Sequence, residues 1–370
     1  MAVVVTGANG FIGKTLMIRL AERGVEAVGF GRGDDEAMLA AVAKADFVFH
    51  LAGVNRPQTP DEFNSGNAGL TSQVCSALAA AGNRAPLVVT SSTQAEADNA
   101  YGRSKRAAEQ AALDHAAATG APVHVVRLTN VFGKWARPNY NSAVATFCHN
   151  VANGLPITVN DPAAVLKLVY VDDVCDAFLR VLEKPTLAHG ERSGFAHAGP
   201  EYETTVGAVA EAIQSFPESR STLMTDRVGT GLTRALYATY LSYLRPDQFA
   251  YDVPRHGDPR GVFVEMLKTP DCGQFSYFTA SPGVTRGQHY HHTKTEKFLV
   301  LTGRARFGFR HIGTGETFYL DVEGGQGRIV ETIPGWTHDI TNVGDQEMVV
   351  MLWANEIFDR ARPDTVAMKV

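Results

Sequence analysis

The sequence predicts two structural classes in one chain, an α/β doubly wound N-terminal domain and an all-β C-terminal domain. Over roughly the first 180 residues, short apolar runs alternate with Ala-rich helical stretches, a pattern typical of a parallel sheet with helices on both faces. Beyond about residue 250, short strands are separated by glycines and turn residues, which indicates an antiparallel sandwich or small barrel. Pro, Asp and Gly accumulate within 241–261, so we assign 1–246 and 247–370 to the two domains.

Each domain has a set of expected strands. In the N-terminal domain these are AVVVTG, EAVGFG, DFVFHLAG, PLVVTSS and PVHVVRLT. In the C-terminal domain they are GVFVEML, GQFSYFTA, KFLVLTGRARFGFR, ETFYLDV, GRIVETIP and EMVVMLW. Helical patterns follow several of the N-terminal strands, as a doubly wound sheet requires.

Charge and cysteine content exclude several classes of partner. The 370 residues carry 34 basic and 39 acidic side chains without a long run of either sign, so we expect no nucleic acid and no membrane among the partners. Four widely spaced cysteines without a CxxC pair suit free thiols in a reducing compartment. The sequence shows no secretory signal pattern and no apolar window of about 18 residues, and we therefore expect a cytoplasmic protein.

The first strand leads directly into a glycine-rich turn and a helical pattern. The turn residues are Gly7, Asn9, Gly10, Phe11, Ile12 and Gly13, with Ala8 between the first two. Glycines let a backbone turn tightly and approach a pyrophosphate at a helix N-terminus, where free amides and the helix dipole favour anions. This order of strand, turn and helix predicts a Rossmann-type dinucleotide site; the alternative is a purely structural tight turn.

The end of the second strand bears on cofactor choice. Arg32 occupies the position that meets the ribose 2′ group in a Rossmann half, and an arginine there favours the 2′-phosphate of NADP. Asp34 and Asp35 follow closely and could instead bind a free hydroxyl, while Arg32 could be a solvated loop residue. We expect NADPH.

A YxxxK pair follows the strand that ends in Thr90-Ser91-Ser92-Thr93. Tyr101 and Lys105 are four residues apart at the start of a helical pattern, so they share one face. A nearby ammonium would lower the pKa of the tyrosine, which suits proton transfer to or from a carbonyl oxygen during hydride transfer. The hydroxyl residues before the helix can hydrogen-bond the same oxygen.

These segments together resemble the extended short-chain dehydrogenase/reductase family, whose members mostly act on nucleotide sugars. TGANGFIG, HLAGVNRP, TSST, YGRSK, RLTNVFG and LVYVDDVCDAF match its landmarks in order. The resemblance implies Ser92, Tyr101 and Lys105 as the catalytic trio, with Thr93 as the alternative to Ser92, and places Asn130 near the nicotinamide. It implies a cofactor site formed by Gly7, Asn9, Gly10, Phe11, Ile12, Gly13, Arg32, Leu51, Ala52, Tyr101 and Lys105. Lys134 departs from the family's NVYGP pattern, so the local substrate contacts stay open.

The C-terminal domain carries a histidine-rich stretch, GQHYHHTKTEK. On a strand His289 and His291 point to the same face, so both can reach one ion, whereas His292 faces away. Glu296 follows, and His338 lies on a later strand that can pair back. Three imidazoles and a carboxylate suit zinc, and also iron, manganese or nickel. Out of context, a histidine pair in a loop is usually solvated.

The spacing of this stretch resembles that of the cupin (jelly-roll) family. Its two motifs, G(x)5HxH(x)4E(x)6G and Gly-x-x-His-x3-Asn, match residues 283–303 and 335–342, with a slight departure at Pro334. The resemblance implies a divalent metal bound by His289, His291, Glu296 and His338, and we expect zinc. The alternative is a cupin that binds no metal, or a sugar in its place. Residues 258–265 also resemble the DxRGxFxE segment of cupins that epimerise 4-keto nucleotide sugars.

One substrate would need both chemistries. A ketone at carbon 4 of a hexose acidifies the proton on carbon 3, and the same ketone accepts hydride from a Tyr/Lys reductase. Along its whole length the chain resembles the bifunctional epimerase/reductase family of bacterial N-acetyl-L-fucosamine synthesis. The resemblance implies carbon-3 epimerisation of UDP-2-acetamido-2,6-dideoxy-β-L-arabino-hexos-4-ulose, then NADPH-dependent reduction to UDP-2-acetamido-2,6-dideoxy-β-L-talose.

Three questions stay open at this point. Tyr290, His292, Lys294 and Lys297 are all candidates for the epimerase acid and base. The all-β domain could be only a dimerisation or stability module of a single-function reductase, or the chain could be a non-enzymatic NADP-binding redox sensor. Edge strands and apolar runs such as EMVVMLW indicate a homo-oligomer, and we expect a homodimer.

Overall fold

The computed structural model describes residues 1–59, 61–186, 193–249, 251–291, 294–312, 314–333 and 336–370. The chain divides into two compact units. The first comprises Met1–Ile213 with Ala238–Tyr243, and the second comprises Gln214–Tyr237 with Leu244–Val370. The boundary at 246/247 stays a prediction.

A six-stranded parallel sheet forms the centre of the first unit. Its strands are β1 (Val3–Thr6), β2 (Ala27–Phe30), β3 (Phe47–His50), β4 (Leu87–Ser92), β5 (Val123–Leu128) and β8 (Gly194–Ala196), in the order β2-β1-β3-β4-β5-β8. A second, three-stranded sheet in the order β6-β7-β9 contains β6 (Asn130–Phe132), β7 (Val165–Tyr170) and β9 (Glu201–Thr205). The sequence predicted the five strands β1 to β5 but not this small sheet.

Helices accompany the strands. They are α1 (Phe11–Glu22), α2 (Asp35–Val42), α3 (Asp61–Phe63), α4 (Leu70–Ala80), α5 (Ala100–Thr119), α6 (Ala143–Ala152), α7 (Val171–Glu183), α8 (Val206–Ser215), α9 (Ser219–Thr222) and α10 (Gly231–Leu241). A π-helical segment, Asn64–Gly69, joins α3 to α4, and 3₁₀ turns span Thr93–Glu96, Phe216–Glu218 and Pro246–Gln248. No helix among the described residues is both long and apolar enough to cross a bilayer.

The central sheet is buried on both faces. Val3 and Val5 pack into one apolar cluster, while Val4 between them packs into another. Phe47 and Phe49 share the first cluster, and Val48 joins the second. Burying such a side chain stabilises the fold by about 1.5–3 kcal/mol, which explains why these strands are apolar up to the polar residues at their carboxyl ends, Thr6 and His50.

Two antiparallel sheets make up most of the second unit. One contains β10 (Arg255–Asp258), β11 (Gly261–Thr269), β12 (Gly273–Ala280), β14 (Glu296–Thr302), β17 (Ile329–Glu331) and β19 (Met348–Ala354), ordered β10-β11-β12-β19-β14-β17. The other contains β13 (Thr285–Tyr290), β15 (Arg304–His311), β16 (Thr317–Glu323), β18 (Trp336–Asn342) and β20 (Val366–Ala367), ordered β16-β15-β18-β13-β20. Side chains from both sheets form one apolar core, including Phe278, Phe298, Phe307, Ile340 and Met348. The predicted fold classes of both parts of the chain are confirmed.

Candidate functional site

The glycine-rich turn joins β1 to α1 at the carboxyl end of the central sheet. Gly7 has φ +70°, and a Cβ atom there would lie 2.7 Å from the amide nitrogen of Ala52. A Cβ on Gly13 would lie 2.2 Å from the carbonyl oxygen of Gly7. Gly10 is the N-cap of α1 and offers no side chain to its amides. The turn therefore requires glycines for packing, and it brings bare backbone to a helix N-terminus as an anion site requires.

Other predicted cofactor residues surround this turn. Leu51 follows β3, and its amide donates to the carbonyl of Thr6 at 3.2 Å, while the Ala52 amide donates to Thr6 Oγ1 at 3.2 Å. Phe11 and Ile12 open α1. Asn9 reaches across to β2, since a Cβ on Gly31 would lie 2.4 Å from Asn9 Nδ2. The structure thus groups the glycine turn, Asn9 and the end of β3.

The residues after β2 divide into two roles. Arg32 is exposed and available for a ligand. Asp34 accepts a hydrogen bond from the Gly31 amide at 3.3 Å and is the N-cap of α2, whose first residue is Asp35. Because Asp34 already holds the local turn, Arg32 is the freer of the two to meet a ribose substituent.

Tyr101 and Lys105 lie four residues apart at the start of α5, and Ser92, at the end of β4, hydrogen-bonds Tyr101. Asn99 caps this helix by accepting from the Gly102 amide at 2.8 Å, which fixes the first turn that carries Tyr101. Burial raises the pKa of Tyr101, and a hydrogen bond with Ser92 works in the opposite direction. The lowered tyrosine pKa expected from the sequence is therefore wrong for this structure, because desolvation outweighs the favourable contacts. Thr93 instead begins the following 3₁₀ turn.

Lys105, one helical turn after Tyr101 on α5, is almost fully buried. Its Nζ donates to the carbonyl of Thr90 at 3.3 Å, and a Cβ on Gly53 would lie 3.1 Å from the same Nζ. Burial lowers the pKa of Lys105 to about 8, although Glu109 opposes the shift. Burial together with the Lys105 charge lowers the pKa of the neighbouring His50 to about 3, which keeps that imidazole neutral.

A buried polar network supports this site, and sequence reasoning missed it. Asn67, in the π-helical segment, accepts from the Val54 amide at 2.9 Å and donates to the Val54 carbonyl at 3.0 Å. It also donates to Ser104 Oγ at 3.0 Å, and Ser104 donates to the Tyr101 carbonyl at 2.7 Å. Asn67 thereby ties the loop after β3 to the helix that carries the catalytic pair. No periodicity in the sequence marks this asparagine.

Asn130 and Lys134 lie on and beyond β6. The Asn130 side chain donates to the carbonyl of Lys167 at 3.0 Å. Lys134 forms an ion pair with Asp172 of α7 at 2.5 Å. Lys134, which departs from the family pattern, therefore makes a structural contact to α7.

The four predicted metal ligands converge in the second unit. His289 on β13 pairs in register with His338 on β18, Glu296 is the first residue of β14, and His291 follows the end of β13. One candidate ligand atom from each of the four lies within 4.8 Å of the others. His291 Nδ1 lies 2.5 Å from the carbonyl oxygen of Asp364, which leaves its Nε2 facing the cluster. The spacing argument that grouped these residues is consistent with their placement.

The chemistry of the cluster fits a divalent metal. His338 Nδ1 is buried without a hydrogen-bond partner among the described residues, and His338 Nε2 lies 3.4 Å from Glu296 Oε2. Burial lowers the pKa of His289 to about 4, so its imidazole is neutral at physiological pH. Burial alone would raise the pKa of Glu296, but its contacts with His291, His338 and Lys294 hold it well below the ordinary value. The neutral imidazole of His289, the ionised carboxylate of Glu296 and the unpaired, buried Nδ1 of His338 are features that suit a metal site.

The cluster opens into a cavity of about 660 Å³. His289 and Glu296 line it, together with Arg260, Phe263 and Glu265 of the DxRGxFxE segment. Further lining residues are His256, Lys268, Gln274, Lys294, Leu352, Ala354, Phe358, Arg360 and Thr365. A cavity of this size and polarity suits part of a nucleotide sugar.

The candidate proton carriers differ in position. Lys294 is buried, lines the cavity and has its Nζ 2.9 Å from Glu296 Oε1. Lys297 instead pairs with Glu331 in an exposed ion pair. Tyr290 pairs in register with Val366 on β20, and His292 lies outside the described residues. Of the three described candidates, Lys294 is the one placed beside both the cluster and the cavity.

Comparisons with known proteins cover both units. Residues 3–193 match the NAD dependent epimerase/dehydratase family, and residues 256–366 match the polysaccharide biosynthesis C-terminal domain. The chain is 56% identical to UDP-2-acetamido-2,6-beta-L-arabino-hexul-4-ose reductase of Pseudomonas aeruginosa strain PA103, over 100% of this chain and 99% of that protein.

Solved structures of other proteins are also similar to this chain. The capsular polysaccharide assembling protein CapF from Staphylococcus aureus is 39% identical, with TM-score 0.89 and full coverage of both chains. UDP-glucose 4-epimerase of Thermus thermophilus is 20% identical with TM-score 0.54, covers 66% of this chain and 99% of its own, and shares the fold. Full-length matches at 56% and 39% identity extend the relationship across both units. The chain is therefore an enzyme that belongs to the NAD dependent epimerase/dehydratase family and carries a polysaccharide biosynthesis C-terminal domain.

Proposed function

We propose that this enzyme performs two consecutive reactions on one nucleotide sugar. The second unit epimerises carbon 3 of UDP-2-acetamido-2,6-dideoxy-β-L-arabino-hexos-4-ulose. The first unit then reduces the 4-ketone with NADPH to UDP-2-acetamido-2,6-dideoxy-β-L-talose, a precursor for capsule or O-antigen. The observation that carries this proposal is the presence in one chain of a Ser/Tyr/Lys trio and a His/Glu cluster that opens into a cavity. The name of the Pseudomonas relative supports the substrate.

In the reductase site the chain supplies the proton and its positioning. NADPH supplies the hydride when bound. Tyr101, whose pKa is raised, stays protonated at neutral pH and so can donate its proton to the oxygen of the ketone as that oxygen gains charge. Ser92 hydrogen-bonds Tyr101, and Lys105, buried four residues later on α5, supplies a positive charge to the same site. A raised tyrosine pKa is thus compatible with the reductive direction.

In the epimerase site, the chain would hold a metal and places the cationic side chain of Lys294 beside the cavity. His289, His291, Glu296 and His338 would hold a divalent ion, which we propose is zinc; when bound, it supplies Lewis acidity or structural support. Lys294 places an ammonium at the cavity wall, where it can stabilise the negative charge of an enolate oxygen. Phe263 and Leu352 contribute apolar wall, which reduces the local dielectric and strengthens these interactions.

Deuterium exchange separates the two activities. Substrate incubated with the enzyme in deuterated water without NADPH is expected to gain deuterium at carbon 3, measured by mass spectrometry and NMR. Tyr101→Phe should keep this exchange and lose about 100-fold or more of NADPH oxidation. Tyr202→Phe, on β9, is the matched control and should keep both activities.

Two outcomes would contradict the proposal. No exchange by the wild-type enzyme would leave a single-function reductase with a structural all-β unit. NADPH oxidation by Tyr101→Phe at the wild-type rate would remove the tyrosine from the reaction. Consumption of the 4-ketosugar with NADPH would itself exclude a purely redox-sensing role.

We further propose that the enzyme acts in the cytoplasm as a homodimer. The strand EMVVMLW does not support this, because β19 lies between β12 and β14 within its sheet and is not an edge. A better indication is β16, an edge strand on which the adjacent Phe318 and Tyr319 are 54% and 58% exposed. Exposed apolar edges are candidate sites of subunit pairing.

A further inference from the structure

Two loops of the first unit meet around the ring of Tyr140. The loop after β3 contributes Arg56, whose Nε donates to Asn141 Oδ1 at 2.5 Å. The Tyr140 hydroxyl lies 3.3 Å from Asn55 Oδ1. The guanidinium carbon of Arg56 is 4.9 Å from the centre of the Tyr140 ring, and that of Arg137 is 5.4 Å from it. The exposed ring of Tyr140 therefore contacts two guanidinium groups, which lie close to each other.

Among the described residues, no carboxylate neutralises the positive charges of Arg56 and Arg137. Neither Arg56 nor Arg137 has a carboxylate oxygen within 4 Å in the part of the chain that the structure describes, and both are exposed. Arg103 and Arg127 of the same unit, by contrast, each form ion pairs with acidic residues. Guanidinium groups present planar sets of N–H donors that match phosphate oxygens, so an unpaired couple suits a doubly charged phosphate ligand.

The loop that carries Arg137 and Tyr140 is fixed in an unusual backbone conformation. Trp135 has a φ of +71°, which bulky residues rarely adopt, and Asn139 has a φ of +54°, a conformation that asparagine adopts more readily. Ala136 is buried, and its carbonyl accepts a hydrogen bond from the Tyr243 hydroxyl at 2.5 Å. The Asn139 amide donates to Thr146 Oγ1 at 3.0 Å. These contacts hold a strained loop in place, which reduces the ordering cost of binding a ligand there.

The arginine couple lies near the catalytic trio. The position of Gly53 is in van der Waals range of Lys105 Nζ, and Arg56 follows it by three residues. Three residues span at most about 11 Å, so the backbone of Arg56 is within that distance of the backbone next to Lys105. In a nucleotide sugar, the carbon-4 ketone and the diphosphate on carbon 1 lie on opposite sides of one pyranose ring. A sugar at Tyr101 would therefore direct its diphosphate toward a site of this kind.

We propose that Arg56 and Arg137, whose guanidinium groups both contact the Tyr140 ring, bind the diphosphate of the nucleotide sugar in the reductase unit. This inference rests on the proposed function for the identity of the sugar, but the diphosphate site follows from the two arginines and their loop. It makes these arginines binding residues rather than catalytic residues, because neither is placed to transfer a proton to the ketone.

Binding of UDP alone tests the site without turnover. UDP is titrated calorimetrically into full-length protein saturated with NADP⁺, using wild type, Arg56→Gln and Arg137→Gln. Each variant loses one charged hydrogen-bonding group. The Kd of UDP for one binding site in the titration is therefore expected to rise about tenfold or more in each variant. Arg84→Gln, an exposed arginine between α4 and β4, is the matched control for loss of one charge and should bind UDP as wild type does.

Kinetics locate the effect in the reductase unit. Both variants should raise the KM of the nucleotide sugar in NADPH oxidation about tenfold or more while kcat stays within a few-fold. Carbon-3 deuterium exchange without NADPH should stay at the wild-type rate, since the cavity of the second unit is intact. NADPH affinity, measured by fluorescence, should also be unchanged, which reports that the variants are folded.

The outcomes discriminate between this site and the proposed function. UDP isotherms and KM values equal to those of wild type in both variants would overturn the diphosphate site, and so would wild-type protein that takes up no UDP. Either result could occur with a fully active epimerase and reductase. Conversely, an enzyme inactive on the 4-ketosugar whose UDP binding depends on both arginines would contradict the proposed function and leave the site standing.

Discussion

Burial around Lys105 is the residue-scale feature with the most direct consequence for catalysis. Its pKa is lowered to about 8, mainly by burial. Lys105 is a base, so its ammonium form predominates below about pH 8 and is lost as the pH rises through that value. The charge that supports Tyr101 therefore disappears well below the ordinary lysine value of about 10.4.

The pH profile of reduction should show this loss. We expect kcat/KM for NADPH oxidation to be constant near neutral pH and to fall by about tenfold per pH unit above about pH 8, because kcat/KM reports the free enzyme. Lys105→Met should be slow throughout and should lack this fall. The measurement is stopped-flow NADPH oxidation from about pH 6 to pH 10. A wild-type profile without a fall over that range would contradict the role of the ammonium.

His338 gives a second residue-scale prediction, because its buried Nδ1 has no hydrogen-bond partner among the described residues and its Nε2 faces Glu296. A metal present at about 100 times its Kd would stabilise the fold by about 2.7 kcal/mol, or roughly 5–10 °C in Tm. EDTA should lower the Tm of the wild type and of His256→Ala by this amount. It should have no effect on His338→Ala, whose Tm is already low. Elemental analysis identifies the ion.

A different pattern would remove the metal from the proposal. Wild-type protein whose Tm is unchanged by EDTA, and which contains no metal after purification in metal-supplemented buffer, would show that the cluster binds no ion. The histidines would then have to be explained by substrate contacts in the adjoining cavity.

At the scale of elements, a short segment before the predicted boundary is hydrogen-bonded to β11. The Lys268 amide donates to the Leu223 carbonyl at 2.7 Å, and the Thr225 amide donates to the Lys268 carbonyl at 2.8 Å. Leu223 is 4% exposed, and both segments belong to the second unit. The stretch 223–225 therefore contributes buried surface and hydrogen bonds to the all-β unit.

Two fragments test how much this pairing contributes. A fragment 214–370 should be more stable than 247–370 by roughly 2–4 kcal/mol, the sum expected for one buried leucine and two backbone hydrogen bonds. Urea unfolding followed by circular dichroism measures the difference. The Leu223→Ala substitution in the longer fragment should remove part of this difference in the free energy of unfolding. Equal stability of the two fragments would instead support the boundary at 246/247.

At the scale of the whole molecule, the edge strand β16 is the surface on which the homodimer proposal depends. Light scattering should give twice the mass of one chain at micromolar concentration. Phe318→Lys should shift the distribution toward monomer, because a lysine on an edge strand opposes pairing. Ile18→Lys on α1, at a residue 43% exposed, is the control. A monomeric wild-type chain would contradict the dimer, and an undiminished dimer in Phe318→Lys would move the interface elsewhere.

The sequence by itself determined the two fold classes, the glycine turn and the placement of Tyr101 and Lys105 four residues apart on one helix. These depend on local spacing, since the strand and helix periods place nearby residues on one face. It also identified the four-residue His/Glu set through motif resemblance. The sequence could not show that burial would raise rather than lower the pKa of Tyr101, because desolvation depends on residues distant in the chain.

Only the tertiary structure decided which residues support and extend these sites. Asn67 joins the loop after β3 to α5, and the Asp364 carbonyl orients His291 from 73 residues away. Arg56 meets Tyr140 across 84 positions of sequence. Contacts of this kind have no periodic signature, because they arise when the ends of different strands are brought to one edge of a sheet. The chemistry of this enzyme is readable from short motifs, whereas its electrostatics and the recognition of its substrate depend on long-range packing.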